Sequence, residues 1–458
     1  MTRVLLVDRS GRGHALADLF VRTDPEVEVL YAPGCPAADG PRIRSFPGLT
    51  MGDLDGLVKL AVDERVDFAL VSSAPALGAG LVDRFRAAGV AAIGPDAAAA
   101  RLETSKAYTK RLCAKHGVPV ADFQIFDELE AARGYVRSVG YPVVVKADGL
   151  CAGNGTFVCD DAEGAVAAVD RLMVERPCGE AGDVVVVERR LYGRELSFFV
   201  LLDGRGGYAV LPMALDYPKS DDGNTGLTCG GMGALSPHPL EEPALLAKME
   251  AQLLRPLLKA IAAEGLDYTG VLYLGSMLVG DQLHLLEINV RMGDPEAEAA
   301  FPRIESDFTA LCRAIVDGTL GAARPLELNA LHFCAVVAAQ GRTRQRSGGR
   351  NKGWYAGWPY GRYGKHYPVT GVERVDPSKA RVFLGEAAVL PDRGLVSDGA
   401  RVLHVVGHGA SAADAVENAY DQLRHIDFEG VRFRTDIGRV MPWDEAAEVG
   451  GAAAGAEG

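Results

Sequence analysis

The chain has 458 residues, 48% of them hydrophobic and 24% charged, with a formal net charge of −13. That is the composition of a globular protein of two to four domains. The negative field excludes nonspecific attraction to nucleic acid or to an anionic membrane, and no stretch approaches the ~18 uninterrupted apolar residues of a membrane span. The opening MTRVLLVDRSGRGHAL runs directly into strand and turn, so it reads as a domain start and not a signal peptide, and a cytoplasmic setting is expected.

In chain order, RVLLVDRSGRGHALADLFV predicts strand, glycine turn and helix, and VDFALVSSAPALGAGLVDRFRAAGVAAIGP repeats the pattern. Apolar strands alternating with amphipathic helices predict a parallel-sheet α/β domain over residues 1–100. A second block over 101–328 opens with a helix from Lys106 to His116. A small lobe follows at about 121–190, with helices from about Asp127 to Val139 and from Ala162 to Glu175 around the hairpin VVVKADGLCAGNGTFV. Beyond the lobe come the glycine loop DDGNTGLTCGGMGALSP, a long helix (Glu241 to Glu264) and the strands TGVLYLGSMLV and LHLLEINVRM. Residues 329–443 predict an α+β unit that carries the insert NKGWYAGWPYGRYGKHYP, expected to be an ordered surface loop or a subunit contact. The tail 444–458 is low in complexity and predicted disordered. The eight cysteines show no CxxC or metal spacing and are expected to be reduced thiols, with Cys229 a candidate reactive one.

Three stretches carry chemistry. Lys146 ends a buried-type strand and needs an anionic partner, and the glycines after it, Gly153 and Gly155, free backbone N–H groups for phosphate. In VVVVERRLYGRELSFFV, Glu188, Leu191 and Glu195 form a linker suited to an adenine ring and its ribose hydroxyls, or else a charged strand end. In LLEINVRMGDPEAE, Glu287 and Asn289 share one face of a strand and offer hard oxygen ligands for Mg²⁺, Arg291 continues that face, and Asp294 opens an acidic turn. Lys106 at a helix start adds an anion-binding cation.

The order of LETSKAYTK, VVVKADGLCAGNG, VVERRLYGRELSF, GGMGALSP and EINVRMGDPE resembles the ATP-grasp ligases, and within them the glycinamide ribonucleotide synthetase family, over about Val4 to Met441. The resemblance implies an α/β multidomain fold: an N-terminal parallel-sheet domain, a split ATP-grasp domain with a small mobile lobe, and a C-terminal α+β domain. It implies a reaction in which ATP phosphorylates a carboxylate and an amine attacks the acyl phosphate. The cofactors are ATP with Mg²⁺ or Mn²⁺, and the partners a small-molecule amine and an amino acid or other carboxylate, on a monomer or homodimer. Residue by residue, it makes Lys106, Lys146, Gly153, Gly155, Glu188, Leu191 and Glu195 nucleotide contacts, Glu287 and Asn289 metal ligands, and Arg291 and Asp294 catalytic. Gly11, Arg12, Asp216, Gly230, Gly231 and Met232 fall to substrate.

Some positions depart from the family's pattern. Asn154 stands where the family's glycine loop has lysine, the first loop reads DRSGRGHAL in place of GNGGREHAL, Ala74 replaces an acid, and DYPKSDDGNTGLTCGGMG lacks the family's arginine. These changes predict an ADP-forming carboxylate–amine ligase with an altered amine, in specialised metabolism. The alternatives are the ordinary phosphoribosylamine–glycine ligase and a nucleotide-binding protein without catalysis.

Overall fold

The structure, a computed structural model, describes residues 1–151, 153, 155–347 and 350–443. Asn154 and the tail 444–458 lie outside the described residues.

Thr2–Asp8, Val27–Pro33, Ile43–Ser45, Phe68–Val71 and Ala92–Ile93 form a five-stranded parallel sheet. Val4 through Asp8 are all buried, as a strand covered on both faces must be. Thr2–Asp8 lies between Val27–Pro33 and Phe68–Val71, so the winding reverses there. The carboxyl ends of Thr2–Asp8 and Phe68–Val71 therefore open a crevice, the usual ligand position of such sheets. Helix Gly11–Thr23 starts at that crevice.

The expected small lobe is a four-stranded antiparallel sheet, in the order Phe123–Phe126, Val185–Arg189, Val143–Ala147, Thr156–Cys159. It has its own core, in which Ala132 and Val136 of one helix and Ala165 and Val169 of the other pack on Val145 and Val187. A second antiparallel sheet, in the order Tyr208–Val210, Arg194–Asp203, Thr269–Val279, Gln282–Asn289, carries the EIN strand at its edge. Its ladder slips between Gly275 and Ser276, leaving Leu286 as an unpaired bulge residue.

The C-terminal sheet corrects one sequence boundary. It runs Leu215–Asp216, Gly233–Ser236, His332–Gln340, Arg401–Gly409, Ala380–Leu384, so two of its strands come from the 101–328 segment. Gly233–Ser236 is fully buried. The glycines before it disguise it as loop, but its apolar partners on His332–Gln340 make it strand. Helix Ala412–Leu423, closed by a capping box between Ser411 and Asp414, packs on this sheet.

Cysteine usage also differs from expectation. Cys151 and Cys178 form a disulfide with Cα atoms 5.1 Å apart, which ties the glycine loop of the small lobe to the turn before Val185–Arg189. Cys229 is buried, and burial pushes its thiol up to about 11, so it is not a reactive thiol.

Candidate active site

The three sheets and the small lobe enclose a cavity of about 840 Å³. Arg12, Ser73 and Ala74 reach it from the N-terminal crevice, Gly153 and Gly155 from the lobe, Glu287 and Asn289 from the edge strand, and Arg401 from the C-terminal sheet. Lys106, Asp216, Gly230, Arg291 and Asp294 also line it, whereas Lys146, Glu188, Leu191, Glu195, Gly11, Gly231 and Met232 do not.

Behind the nucleotide end lies a buried charge cluster. Glu188 sits between Lys110 and Lys146, 2.8 Å from each ammonium, with all three side chains almost wholly buried. Burial would raise the Glu188 carboxyl, but the two lysines overcome it and hold it below the ordinary range. Burial would lower Lys146, but Glu188 holds it above its usual value, fully charged. The bulge in the edge strand completes the cluster. The Leu286 carbonyl accepts from Lys146 at 3.2 Å and the Leu285 carbonyl from Lys110 at 3.3 Å. This corrects the sequence reading of Glu188: its carboxylate is occupied by two lysines and is not offered to a ribose. Lys110 was missed, because a lysine inside KAYTKRLCAKH reads as part of a solvated helix face.

At the cavity wall Asn289 donates to Glu287 at 3.0 Å and accepts from Arg291 at 3.1 Å, which confirms that the two oxygen donors share a face. Arg291 is braced by Glu103 at 3.0 Å, a second residue the sequence did not single out. One carboxylate and one amide oxygen fit a hard dication that keeps most of its shell from water and phosphate. Lys106 faces the same acids, and burial lowers its ammonium while Glu287 partly restores it. The helix start at Lys106 is not open to an anion, contrary to expectation. Asp148 fills it, accepting from the Ala107 N–H at 2.6 Å and from Ser105. The side-chain ammonium alone is available there. Gly153, at φ +82, approaches so closely that a Cβ would stand 3.0 Å from the Gly230 nitrogen, so the two glycine loops meet backbone to backbone.

The other end of the cavity belongs to the GDPE turn. The Asp294 carboxylate forms an ion pair with Arg401 at 2.9 Å and lies 3.3 Å from His404 Nε2. Burial alone would raise its carboxyl, yet Arg401 and His404 hold it well below the usual carboxylate range. His404 Nδ1 lies 3.5 Å from Glu298, which is completely buried and is pushed well above the ordinary range by burial and by the Asp294 charge. Asp216 and Glu296 both line the cavity, and both are raised, chiefly by burial.

Several residues expected to touch substrate serve the frame instead. Arg12 donates to Asp8 at 2.8 Å, to the Ser72 carbonyl at 2.7 Å and to the Met292 carbonyl at 3.2 Å, clamping the first loop to the GDPE turn. Gly11 exists for clearance, since a Cβ there would meet His404 at 2.2 Å. Gly231, at φ +97, has the same role against Pro295, and Met232 is fully buried in the core. Leu191 lies on the connection between the lobe and the second sheet, and Glu195 lies at the start of strand Arg194–Asp203, where burial and then the Glu287 charge raise its carboxyl.

A two-lobed nucleotide cleft with buried lysines at one end, an oxygen-donor strand along its wall and an acidic turn at the other end is the arrangement of an ATP-grasp carboxylate–amine ligase. Family models for the phosphoribosylglycinamide synthetase N domain, ATP-grasp (A) domain and C domain match residues 2–103, 104–297 and 355–440 in turn. Two relatives named phosphoribosylamine–glycine ligase, from Allochromatium vinosum and Xanthomonas campestris, are each 37% identical. Each alignment covers 95% of this chain, with 98% and 97% of the relative. The crystal structure of phosphoribosylamine–glycine ligase from Thermotoga maritima superposes with a TM-score of 0.78 at 29% identity, covering 95% of this chain and all of that one. The chain belongs to the phosphoribosylglycinamide synthetase family.

Proposed function

We propose that the chain joins glycine to phosphoribosylamine, with ATP converted to ADP and phosphate. The observation that carries this reading is the match of all three family domains, in order, together with relatives of that name aligned over nearly their whole length. It favours the ordinary purine substrate over the altered amine and specialised pathway expected from the loops.

The cavity suits the chemistry. A glycine carboxylate oxygen attacks the γ-phosphorus, forming an acyl phosphate as the bond to ADP breaks. The amine nitrogen then attacks the acyl carbon, the C–N bond forms, and phosphate leaves. Lys106 on the wall and the charged Lys146 behind it lower the cost of gathering phosphate charge, the main lever in phosphoryl transfer. Glu287 and Asn289 would hold Mg²⁺ or Mn²⁺, which supplies further charge neutralisation when bound. Arg291, braced by Glu103, orients the acid or the terminal phosphate. The ionised Asp294 offers negative charge to an ammonium group, and Asp216, whose Oδ1 has no hydrogen-bond partner among the described residues, offers a further polar contact.

A second reading keeps the ATP chemistry and changes the amine. It is favoured by the Asp8–Arg12 pair, which withdraws a guanidinium from the amine end of the cavity. ADP release with ATP, Mg²⁺, glycine and phosphoribosylamine, with the product mass measured, separates the two. Glycinamide ribonucleotide is the expected product. Its absence, with ADP released only for an unphosphorylated amine, would select the second reading.

A further inference from the structure

The sequence singled out the Trp/Tyr-rich insert of the C-terminal unit as a surface loop or subunit contact. Instead, Trp358 and Tyr363 line the same cavity as Arg401 and Gly230, and the backbone bonds Trp358 N–H to Gln340 and Gln340 N–H to Ala400 place Trp358 one strand away from the start of the Arg401 strand. The segment is fastened there from three sides. The Gly357 and Trp358 N–H groups donate to the Gly341 and Gln340 carbonyls at 3.0 and 3.2 Å. The Tyr360 hydroxyl bonds Ser220 at 3.0 Å and also meets Asp221, both on the strand that leads into the glycine loop. Lys365 pairs with Asp398 at 3.1 Å, and Asp398 also receives Arg9 of the first loop at 2.7 Å.

The position of the two rings is not explained by packing alone. Trp358 leans on the core, but Tyr363 stays 39% exposed and makes no hydrogen bond among the described residues. Arg401 is half committed. Its bonds to the Gly230 and Asp294 carbonyls and its ion pair with the Asp294 carboxylate all use Nη1, leaving the Nε and Nη2 donors without a hydrogen bond among the described residues. Glu386, an acid that acts on this guanidinium, accepts from the Ala400 and Arg401 N–H groups through Oε2. Flat apolar faces in one cavity with a guanidinium that keeps donors to spare suit a sugar ring carrying an anionic group.

We infer that Trp358 and Tyr363 form the wall of the amine subsite, covering the ribose face of the amine substrate, while Arg401 takes its phosphate. The inference rests on the reading of the amine as a phosphosugar. The insert thereby supplies the substrate recognition that the rewritten first loop, with Arg12 tied to Asp8, does not.

The test measures steady-state kinetics with ATP, glycine and phosphoribosylamine formed in situ from ribose 5-phosphate and ammonia. Trp358→Ala and Tyr363→Ala should each raise KM for phosphoribosylamine tenfold or more, leave KM for ATP and glycine within twofold, and be largely rescued by Trp358→Phe and Tyr363→Phe. In a Trp354→Phe, Trp443→Phe background, ribose 5-phosphate should quench the remaining Trp358 emission saturably. Unchanged KM for phosphoribosylamine in both alanine variants, or equal rises for all three substrates, would overturn the inference while leaving the function standing. Wild-type protein inert towards phosphoribosylamine would instead remove the functional reading, and this inference with it.

Discussion

Glu188→Gln is the sharpest probe of how the nucleotide end is built. One carboxylate neutralises Lys110 and Lys146, each 2.8 Å away and hidden from solvent. Removing one member of a buried ion pair costs about 3–5 kcal/mol, because the other charge is left uncompensated. Here two ammonium groups are orphaned, so the upper part of that range applies. Lys110→Met or Lys146→Met leaves Glu188 a partner and should cost less, about 1–3 kcal/mol. For a cooperative unit of 150–250 residues, 1 kcal/mol moves Tm by about 2–4 °C, so Glu188→Gln should lower Tm by roughly 6–20 °C at neutral pH. The sign of the pH dependence is fixed. The Glu188 carboxyl is depressed in the folded protein, so its contribution is complete above the unfolded value of about 4.3 and fades as pH falls through the folded value. The gap between wild type and variant should therefore close in acid. Differential scanning calorimetry of the three variants across pH tests this. A Tm loss for Glu188→Gln no larger than for either lysine variant would refute the cluster as described.

Three further outcomes follow from the site. Lys106→Met should lower kcat/KM for ATP by about 10–100-fold, since a cavity-wall cation near phosphate contributes up to roughly 4 kcal/mol at an intermediate dielectric, and steady-state kinetics with the fold checked by circular dichroism decides it. Glu298→Gln should be neutral near pH 4 and stabilising near pH 8. The buried acid keeps its proton when folded and loses it when unfolded, which costs up to about 1.4 kcal/mol per pH unit above pH ~4.3, and thermal melts at the two pH values would show equal gaps if Glu298 were ionised. Cys178→Ser removes a link between residues 27 apart, which the chain-entropy model values at up to about 3.5 kcal/mol. Urea unfolding with and without reductant should show that loss in the variant and in reduced wild type alike, and no change in either would contradict the disulfide.

Much of this was legible in the sequence. The helix Lys106–His116 appears with the expected bounds because Ser105 caps it and Gly117 ends it. Glu287 and Asn289 share a face because strand periodicity is local and survives the bulge at Leu286. What was hidden depends on partners far along the chain. Lys110 reads as a surface charge until Glu188 is brought to it, 78 residues later. Arg12 reads as a substrate contact until Asp8, Ser72 and Met292 surround it. His404 lies in the apolar run RVLHVVGHG with no motif of its own, and only the fold sets it between Asp294 and Glu298. The insert's aromatics could not be placed, because nothing local says which surface a loop crosses.

The central claim is that Glu287 and Asn289 anchor the metal–nucleotide complex on the cavity wall. Titration calorimetry of a non-hydrolysable ATP analogue, with and without Mg²⁺, tests it on wild type and on Glu287→Ala. The account predicts magnesium-dependent binding to wild type, weakened tenfold or more in the variant while its melting temperature holds. Equal affinity in the two proteins, or binding indifferent to magnesium, would contradict it.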